Sequence, residues 1–371
     1  MPPADHQPAV DIGIPVTSRW QFVRQSVESV LAQTFADFRL VVAQDGPADD
    51  RILEELAPHL DDDRLSYVTS ARPLGAAGNK SRLVAAGEAP FVALLDDDDL
   101  WRPGFLAAQV AFLRAHDDAA FVFTANDVID ATGKTIGRSR QILDTGVYQP
   151  RAFMPILIRH NVVASPTVLV RRTAYDATGS GFDARLPTMY DYDMWIRLAA
   201  RFPVGYRAAW DASYRHHRAQ QTIGDRDRRG EHTLYLLDKV DSLRRAEPEL
   251  GIPGSLVQRK RARARLSHAL DELEDGRYRS GREAISSAVR IAPSVVGDAK
   301  FPLALVAAAM GPAAPRVLRR LRLFNLRHGL TGGRLEGTAR RARKGRRLAG
   351  LLVAKVVPAR RASRRRDSTG A

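Results

Sequence analysis

The sequence predicts an α/β fold with a mostly parallel central sheet flanked by helices, followed by an all-helical extension. Short apolar runs alternate with helical patterns through the first half of the chain, as βαβ units require. Beyond about residue 228 the strand signals stop, while helical patterns continue to residue 300. The predicted domains are therefore residues 1–228, a helical extension at 229–300 and a C-terminal tail at 301–371.

The strands are predicted from the apolar runs, and their order places two acidic sites at one edge of the sheet. Runs at residues 11–16, 38–46, 64–70 and 91–95 predict the first four strands, and runs at 120–127 and 167–172 predict two more. The second strand ends at Asp45, and the fourth runs into Asp96. Because ligands of open α/β sheets bind outside the carboxyl ends of the strands, both acids are expected to border one cleft.

Helices are predicted between these strands from apolar residues spaced three and four apart. They cover residues 20–33, 80–86, 105–114 and 188–202, with a polar hairpin around ATGKT at 131–135. The last of these helices has an apolar stripe of Met194, Trp195, Leu198 and Phe202. Asp191 and Asp193 fall in its first turn, where carboxylates suit the helix dipole.

Cysteine usage and the N-terminus limit the kinds of protein that this chain can be. The 371 residues contain no cysteine, which excludes disulfides, thiolate metal sites and a cysteine nucleophile. The stretch MPPADHQPAVDIGIPV lacks the basic region and long apolar run of a signal peptide, and no run of about 18 apolar residues occurs. A cytoplasmic protein without a membrane span is therefore expected.

The net charge of +15 belongs to the tail. Residues 301–371 hold 18 Lys and Arg against two acids, whereas residues 1–300 hold 39 basic and 40 acidic residues. Arg clusters alternate there with apolar runs such as LAGLLVAKVV, a pattern typical of an amphipathic segment on anionic lipid. Peripheral binding to the inner face of the plasma membrane is favoured over a solvated tail. Nucleic acid is not expected, because aromatic residues do not interleave with the charges.

Four consecutive aspartates, Asp96 to Asp99, interrupt the apolar stretch FVALLDDDDLW. Carboxylates at ~4 Å spacing repel by about 4 kcal/mol per close pair, so a neutralising cation is expected. A charge run is usually a solvated loop, but this one lies where a parallel strand delivers binding residues. Asp96 and Asp98 would alternate onto one side of an extended chain and suit a divalent cation with a phosphate partner. Asp97 and Asp99 are expected to cap the following turn or to meet solvent.

Several blocks, in order and spacing, carry a resemblance to a known family. LLDDDDLWRPGFL resembles the D-x-D region of glycosyltransferase family 2, the inverting group with the GT-A fold. DIGIPVTSRWQFVRQSVESVLAQTF is similar to the family's opening block, and RPLGAAGNKSRLVAAG is similar to its second. GFDARLPTMYDYDMWIRLA resembles the third block, and YRHHRAQQT the closing element. The resemblance implies a GT-A domain, with its Rossmann-like sheet, over residues 1–228.

The resemblance also implies roles for residues around the donor. Asp45 matches the acid that bonds the nucleotide base, with a strand-end turn residue as the alternative. Pro15 and Thr17 match the segment that lines the base and ribose pocket. Asn79 and Arg82 are expected to contact the diphosphate or sugar, with a helix cap and a solvated arginine as the alternatives.

For the metal and the chemistry, the resemblance implies a second set of residues. Asp98 is the first candidate for direct metal contact and Asp96 for ribose or metal, while Asp97 stays a candidate because tandem acids leave the register open. Asp191 matches the catalytic base, with a plain helix cap as the alternative. His217 matches the histidine that approaches the metal or diphosphate, with His216 as its rival.

Two departures from the family pattern bear on these roles. Gln44 stands where the family commonly has a second acid before Asp45. Tyr190 replaces the acid that often precedes the base, so one supporting negative charge is missing. Asp193 is therefore expected to be more important for supporting the base.

The resemblance implies a metal-dependent, inverting transferase of the hexosyl type that uses Mn²⁺ or Mg²⁺. Its donor would be a nucleoside-diphosphate sugar, UDP-linked as the first expectation. Its acceptor would be a glycan or lipid-linked hydroxyl in envelope or surface polysaccharide synthesis, met by residues 161–172. Trp101 and Trp195 are candidate platforms for a sugar ring, with core packing as the alternative for Trp195. The rival functions are a nucleotide-sugar-binding protein without catalysis and a nucleotidyltransferase, although IPVTSRWQF does not resemble the basic Gly-rich loop of the latter.

Overall fold

A computed structural model of the chain describes residues 7–179, 181–217 and 229–316, together with residue 318. The described residues divide into two compact units. The first comprises residues up to 217 together with 238–253, and the second comprises 229–237 and the residues from 254 onward. The predicted boundary at residue 228 lies outside the described residues.

The first four strands form a parallel half-sheet, as the sequence predicts. They are β1 (Val10–Val16), β2 (Phe38–Gln44), β3 (Leu65–Val68) and β4 (Phe91–Leu94), in the spatial order β3-β2-β1-β4. All seven residues of β1 are buried, because β1 lies between β2 and β4 and is covered on both faces. This central position fixes the edge at which the loops after β1, β2 and β4 leave the sheet.

Four helices flank this half-sheet: α1 (Trp20–Leu31), α2 (Asp50–Leu56), α3 (Gly75–Ala85) and α4 (Phe105–Ala115). Helix α2 was not predicted. Helix α3 begins at Gly75, five residues before the predicted start at Lys80, so that GAAGN of the Gly-rich stretch LGAAGN is helical. The reason is that Asp45 accepts hydrogen bonds from the N–H groups of Leu74 and Gly75 and so provides the cap that the local sequence lacks.

The rest of the sheet is more mixed than predicted. It contains β5 (Leu100–Trp101), β6 (Phe121–Ile129), β7 (Thr135–Arg138), β8 (Gly146–Tyr148), β9 (Val168–Arg171) and β10 (Val204–Arg215). The order continues β4-β9-β6-β10-β5, with β7 on β6 and β8 on β10. Strand β10 runs parallel to β6, whereas β9 is antiparallel to both of its neighbours. The predicted α/β class is confirmed, with antiparallel pairs where a parallel sheet was expected.

Three further helices of the first unit lie between residues 150 and 201: α5 (Pro150–His160), α6 (Arg172–Ala177) and α7 (Tyr190–Arg201). The predicted apolar stripe of α7 is buried at Met194, Trp195 and Leu198, which fixes the helix against the sheet. The first turn of α7 carries Asp191 and Asp193, as the sequence predicts.

The second unit is helical, as predicted for residues beyond 228. Helix α8 (Arg229–Ala246) spans the division between the units, and α9 (Gly254–Glu274), α10 (Tyr278–Ile291) and α11 (Lys300–Met310) follow. Gly281 of α10 lies so close to α9 that an added Cβ would approach Leu273 to 2.7 Å. The first residues of the predicted tail, including Phe301 and Leu305, belong to the buried core of these helices.

None of the helices among the described residues is long and apolar enough to cross a membrane. The Arg-rich remainder of the predicted tail, residues 319–371, lies outside the described residues.

Candidate functional site

The carboxyl ends of β1, β2 and β4 meet at one edge of the sheet. Val16 lies opposite Gln44 in the register of β1 and β2, and Gly13 lies opposite Leu94 in the register of β1 and β4. The alignment continues past β2, because the backbone N–H of Asp45 donates to Val16 O at 2.8 Å. The loop with Asp45 and the loop with the aspartate run therefore leave the same edge, as predicted.

Cationic side chains of the chain itself neutralise the aspartate run. Lys80 Nζ lies 2.6 Å from Asp96 Oδ1. Arg19 forms an ion pair with Asp97 through one terminal nitrogen and a 2.8 Å hydrogen bond to Asp98 Oδ2 through the other. Two internal cations, and not solvent, thus offset the repulsion that the sequence implies.

The four acids differ in exposure in a way that alternation along a strand did not predict. The side chain of Asp96 is 21% exposed and that of Asp98 is 5% exposed, whereas Asp97 and Asp99 are fully buried. The expectation that Asp97 and Asp99 meet solvent or cap the turn is therefore wrong. The physical reason is a β-turn, closed by a 3.1 Å hydrogen bond from Asp99 N to Asp96 O, where an extended chain was assumed.

Asp99 is held inside the protein by the end of β10. Its Oδ1 accepts a hydrogen bond from Arg215 N at 2.8 Å, and Ser26 Oγ donates to its carbonyl oxygen at 2.9 Å. Its Oδ2 is buried without a hydrogen-bond partner, and burial raises the pKa of Asp99 well above the usual value. Arg215 is itself fully buried and donates from Nε to the carbonyl oxygen of Asp98 at 2.6 Å. Asp99 is therefore a packing residue whose surroundings favour the neutral form.

His217, and not His216, contacts the aspartate run. Its Nε2 lies 2.8 Å from Asp98 Oδ2, and its ring packs against Phe22 with centroids 4.8 Å apart. His216 is exposed, and its backbone N–H donates to Ile129 O at 2.7 Å. The structure thus brings together the predicted pair of Asp98 and His217.

Lys80 is a site residue that the sequence reasoning missed. Its side chain is 2% exposed, and its Nζ donates to Ser165 Oγ at 3.2 Å and lies 5.1 Å from the centre of the Tyr190 ring. Burial alone lowers the pKa of a lysine, but the carboxylates of Asp96 and Asp191 outweigh it and raise the pKa of Lys80. Lys80 is therefore a buried, charged ammonium group.

The sequence positions of Lys80 and Arg19 already indicate that both side chains lie near the acids. Lys80 lies on the apolar face of α3 formed by Ala77, Leu83 and Val84, where a lysine must find an acid. Arg19 follows the end of β1 by three residues, at the edge where the acids were expected. Looking for the counter-cations of the four aspartates within the chain, before assuming a metal, would have found both residues.

Asp191 lies in the first turn of α7 and is half-buried. Its Oδ1 accepts a hydrogen bond from the backbone N–H of Tyr192 at 2.7 Å. Burial raises the pKa of Asp191, and the positive charge of Lys80 opposes this in part. The predicted base and Asp96 thus share one lysine, while the ring of Tyr190 occupies the position where the family often has an acid. The role of Asp191 as a base stays a prediction.

Asp193 serves the packing of α7. It is buried, accepts a 2.9 Å hydrogen bond from Arg197 Nε and pairs with Lys239 Nζ. Two cations thus neutralise its negative charge, which explains how an acid is tolerated on the buried side of the helix.

Asp45 caps helix α3 from the neighbouring strand. Its Oδ1 accepts from Leu74 N at 2.6 Å and its Oδ2 accepts from Gly75 N at 3.0 Å. These are orphan donors at the start of the helix, so Asp45 supplies the cap that Leu74, the residue before α3, does not. The predicted contact of Asp45 with a nucleotide base stays a prediction.

We expect Asp45→Ala to lower the free energy of unfolding by about 0.5–2 kcal/mol, because two N–H groups of α3 lose their acceptor. Asp45→Asn, which keeps one acceptor oxygen, should lose less. Urea unfolding followed by circular dichroism measures both values. An alanine variant as stable as the wild type would show that water replaces the carboxylate at no cost.

Asn79 and Arg82 connect α3 to the end of β2. Asn79 is completely buried and donates from Nδ2 to Ala43 O at 2.8 Å. Arg82 donates to Asn79 Oδ1 at 2.7 Å and to the carbonyl oxygens of Thr69 and Gln44 at 2.7 and 3.1 Å. A direct contact between Asn79 and a ligand would require this packing to open. The predicted diphosphate or sugar contacts stay predictions.

The remaining predicted donor residues border the end of β1. Pro15 is buried within β1, and Thr17 is exposed directly after it. Gln44, the residue that departs from the family pattern, donates from Nε2 to Thr17 O at 3.0 Å. Gln44 therefore connects the ends of β1 and β2, while the side chain of Thr17 stays accessible.

The two tryptophans predicted as sugar platforms are core residues. Trp101 is 4% exposed, donates from Nε1 to Pro166 O at 2.6 Å and stacks on Phe105. Trp195 is 5% exposed and lies 5.5 Å from the ring of Phe121. The platform prediction is wrong for both, because neither ring face is open to a ligand.

The segment expected to meet the acceptor is divided between surface and core. Residues 168–171 form the interior strand β9, between β4 and β6, and are unavailable to an acceptor. Residues 161–165 precede it, and Ser165 contacts Lys80. The acceptor prediction is thus confined to the loop before β9.

The burial of Asp97 predicts that the stability of the protein depends on pH. Burial, with repulsion from Asp98 and Asp96, outweighs the ion pair with Arg19 and raises the pKa of Asp97 to about 7. The folded state therefore holds a proton more tightly than the unfolded chain, in which an aspartate titrates near 4.

We expect the free energy of unfolding to fall by a few kcal/mol, on the order of 1.4 per pKa unit, as the pH rises from about 4 to about 7. Asp97→Asn removes this titration and should flatten that part of the curve. Urea unfolding at several pH values measures it. If the free energy of unfolding of Asp97→Asn depends on pH as steeply as that of the wild type, other titrating groups cause the pH dependence.

The donor set at the aspartate run fits a divalent ion that brings further ligands with it. The described part of the chain has no group of three His, Asp or Glu side chains that could hold a metal ion alone. Asp98 and His217 provide one carboxylate and one imidazole 2.8 Å apart. Mg²⁺-type sites commonly combine one or two carboxylates with substrate phosphates and water, which this pair allows.

Comparison with known proteins identifies the domain that carries this site. The profile of Glycosyl transferase family 2 matches residues 11–179. These residues belong to glycosyltransferase family 2. The matched part of the family 2 domain includes Asp45, Lys80 and the aspartate run, and it ends before Asp191 and His217.

The relatives and the fold agree with this assignment. The chain is 23% identical over 181 residues to an uncharacterized glycosyltransferase of Methanocaldococcus jannaschii, covering 48% of this chain and 60% of that protein. It is 21% identical over 197 residues to the putative colanic acid biosynthesis glycosyl transferase WcaA of Escherichia coli, covering 53% and 68%. The structure of S. aureus TarS residues 1–349 in complex with UDP-GlcNAc superimposes with a TM-score of 0.59 at 13% identity, over 86% of this chain and 92% of that one. The last match shows a shared GT-A fold.

Proposed function

We propose that this chain is an inverting glycosyltransferase that moves a sugar from a nucleoside-diphosphate sugar to a hydroxyl group of a glycan or lipid-linked acceptor. The observation that carries the proposal is the buried ammonium group of Lys80, which pairs with Asp96 and is stabilised electrostatically by Asp191, in a domain of family 2. Through Lys80, the aspartate run, where the donor is predicted to bind, interacts with Asp191, the predicted base.

Asp191 is proposed to take the proton from the acceptor hydroxyl. Burial raises the pKa of its carboxyl group, and a base whose pKa lies nearer the working pH accepts a proton more effectively. Lys80 opposes this shift and keeps the carboxylate available in its charged form. A direct displacement of this kind needs no covalent intermediate and inverts the configuration at the anomeric carbon.

Asp98 is proposed to hold a Mn²⁺ or Mg²⁺ ion together with His217, with Asp96 beside it and phosphate oxygens as further ligands. When bound, such an ion supplies a Lewis acid for the charge that develops on the leaving nucleoside diphosphate. Asp98 and His217 would orient the diphosphate, and Lys80 would face the same charge from the side of α3. The support for this proposal is the 2.8 Å approach of the two side chains.

The donor is proposed to be a UDP-linked sugar, bound where β1 and β2 end. Thr17, which is exposed, and Asp45 lie at this edge. The fold neighbour TarS was solved with UDP-GlcNAc, which supports a donor of this chemical class. WcaA is named for colanic acid biosynthesis, which supports an acceptor in envelope or surface polysaccharide synthesis.

The experiment that tests this function is a thermal-shift panel of UDP-, dTDP- and GDP-linked sugars with and without Mn²⁺, followed by turnover of any sugar that stabilises the protein. We expect at least one donor to raise the melting temperature in a Mn²⁺-dependent way and to release nucleoside diphosphate. Asp98→Asn should abolish both effects, and Asp117→Asn, at a side chain that is 91% exposed, should change neither. Binding without any turnover would favour a nucleotide-sugar-binding protein instead.

The Arg-rich tail is proposed to bind anionic membrane, where a lipid-linked acceptor would lie. Because residues 301–314 contribute to the core of the second unit, truncation after residue 318 is the informative variant. We expect full-length protein to co-sediment with vesicles containing phosphatidylglycerol and the truncated protein to stay in the supernatant, with loss of the difference in high salt. Equal sedimentation of both proteins would contradict membrane binding by the tail.

A further inference from the structure

Arg19 occupies the place on Asp98 that a divalent ion would need. Its Nη1 lies 2.8 Å from Asp98 Oδ2, and His217 Nε2 lies 2.8 Å from the same oxygen. A divalent ion bonds a carboxylate oxygen at about 2.0–2.2 Å, so it cannot reach this atom while both nitrogen atoms remain on it. A guanidinium and a divalent ion on one oxygen atom would also repel each other.

Arg19 is the partner better able to leave. Its side chain is 17% exposed, its Nε is buried without a hydrogen-bond partner, and it follows the exposed residues Thr17 and Ser18. The ring of His217 is instead fixed against Phe22. The guanidinium is thus held chiefly by the two carboxylates that it neutralises.

The burial of Asp97 accounts for the arginine at position 19. Its carboxylate is fully buried, and its ionic partner among the described residues is Arg19. A buried carboxylate without a cation is strongly unfavourable, so the protein without donor needs Arg19 in place. A divalent ion on Asp98 would supply that positive charge and would release the guanidinium.

We propose that Arg19 is the resident counter-cation of Asp97 and Asp98 in the free protein, and that it passes to the diphosphate of the donor when a divalent ion takes its place on Asp98. The planar guanidinium matches phosphate oxygens in pairs, so the incoming donor offers it an equivalent partner. The divalent ion then binds tightly when the nucleotide is present and only weakly when it is absent. This inference rests on the proposed function for the identity of the diphosphate.

The test is Mn²⁺ binding without nucleotide, measured by the loss of the electron paramagnetic resonance signal of free Mn²⁺. The variant is R19M/D97N in the full-length chain, which removes the ion pair as a unit and so leaves no unpaired buried acid. It also removes one basic and one acidic side chain together, so that the change in the net charge of the cluster is smaller than with Arg19→Met alone. We expect Mn²⁺ to bind the double variant at least about tenfold more tightly than the wild type.

Two controls assign the effect to Arg19. Asp97→Asn alone keeps the guanidinium on Asp98 and should bind Mn²⁺ no more tightly than the wild type. Arg24→Met removes an arginine of α1, the helix that follows Arg19; Arg24 pairs with Glu55 at 2.8 Å, and its loss should have no effect. With UDP present, R19M/D97N should lose most of the cooperativity between Mn²⁺ and UDP that the wild type shows.

The outcomes separate this inference from the proposed function. Equal Mn²⁺ affinity in the wild type and in a folded R19M/D97N protein would overturn the role of Arg19, whether or not the wild type turns over a nucleotide sugar. Tighter Mn²⁺ binding by the double variant, in a protein that turns over no donor, would support the resident cation and would refute the glycosyltransferase proposal.

Discussion

Asp191→Asn is expected to lower turnover of the nucleotide sugar by about 10²–10⁴-fold, the usual contribution of a general base. Asparagine keeps the size of the side chain and its acceptor oxygen for Tyr192 N, but it cannot take a proton from the acceptor. Because Asp191 is not proposed to hold the donor, the Kd for the nucleotide sugar should change by no more than about threefold.

The measurement is turnover and donor binding of the same preparations, with Asp117→Asn as the exposed control. The pH profile adds a second readout: since burial raises the pKa of Asp191, wild-type turnover should fall as the pH drops through that raised pKa. Full turnover by the Asn variant would remove Asp191 from the reaction. A loss confined to donor binding would reassign it to the donor site.

Lys80→Met is expected to destabilise the protein by about 3 kcal/mol, the low end of the range for breaking a buried ion pair. The low end applies because Asp96, which would lose its partner, retains 21% exposure. Turnover should also fall, since Lys80 holds Asp96 in place and lies near Asp191.

The double variant K80M/D96N separates the ion pair from simple packing. Removal of both charges should recover about 1–2 kcal/mol relative to Lys80→Met, because no unpaired acid remains. Urea unfolding of the wild type, the two single variants and the double variant gives the coupling energy. Strictly additive losses would show that Lys80 and Asp96 stabilise the protein independently.

The parallel half of the sheet followed from the sequence because its signals are local. Each of β1, β2 and β4 is a short apolar run that ends at a polar residue, and the helices between them carry clear apolar faces. The acids at the ends of β2 and β4 then meet by the general geometry of parallel strands. The placement of Asp45 and Asp98 at one edge needed no further information.

The elements that were missed have conflicting local signals. Helix α5 contains Pro155, which normally argues against a helix interior, yet Phe153 and Leu157 are buried on one face. Strand β10 alternates apolar residues at Val204 and Tyr206, but register shifts after Arg207 interrupt the pattern. In both cases tertiary packing decides against the local preference.

The cations of the site were missed for a different reason. A run of four acids suggests an external ion. Arg19 is 79 positions away from Asp98 in the sequence, and nothing in the local sequence indicates that the two side chains are in contact. The β-turn that buries Asp97 and Asp99 also depends on surroundings, since Arg215 of β10 holds it in place. Long-range charge pairing of this kind is a property of the fold.

The most direct test of the account is the configuration of the sugar first released from a hydrolysed donor, observed by proton NMR in the presence of Mn²⁺. A direct displacement with Asp191 as the base predicts a first product with the anomeric configuration opposite to that of the donor, and release about 10²–10⁴-fold slower by Asp191→Asn. A first product with the same configuration as the donor would contradict the account, because it would require a covalent or front-side reaction.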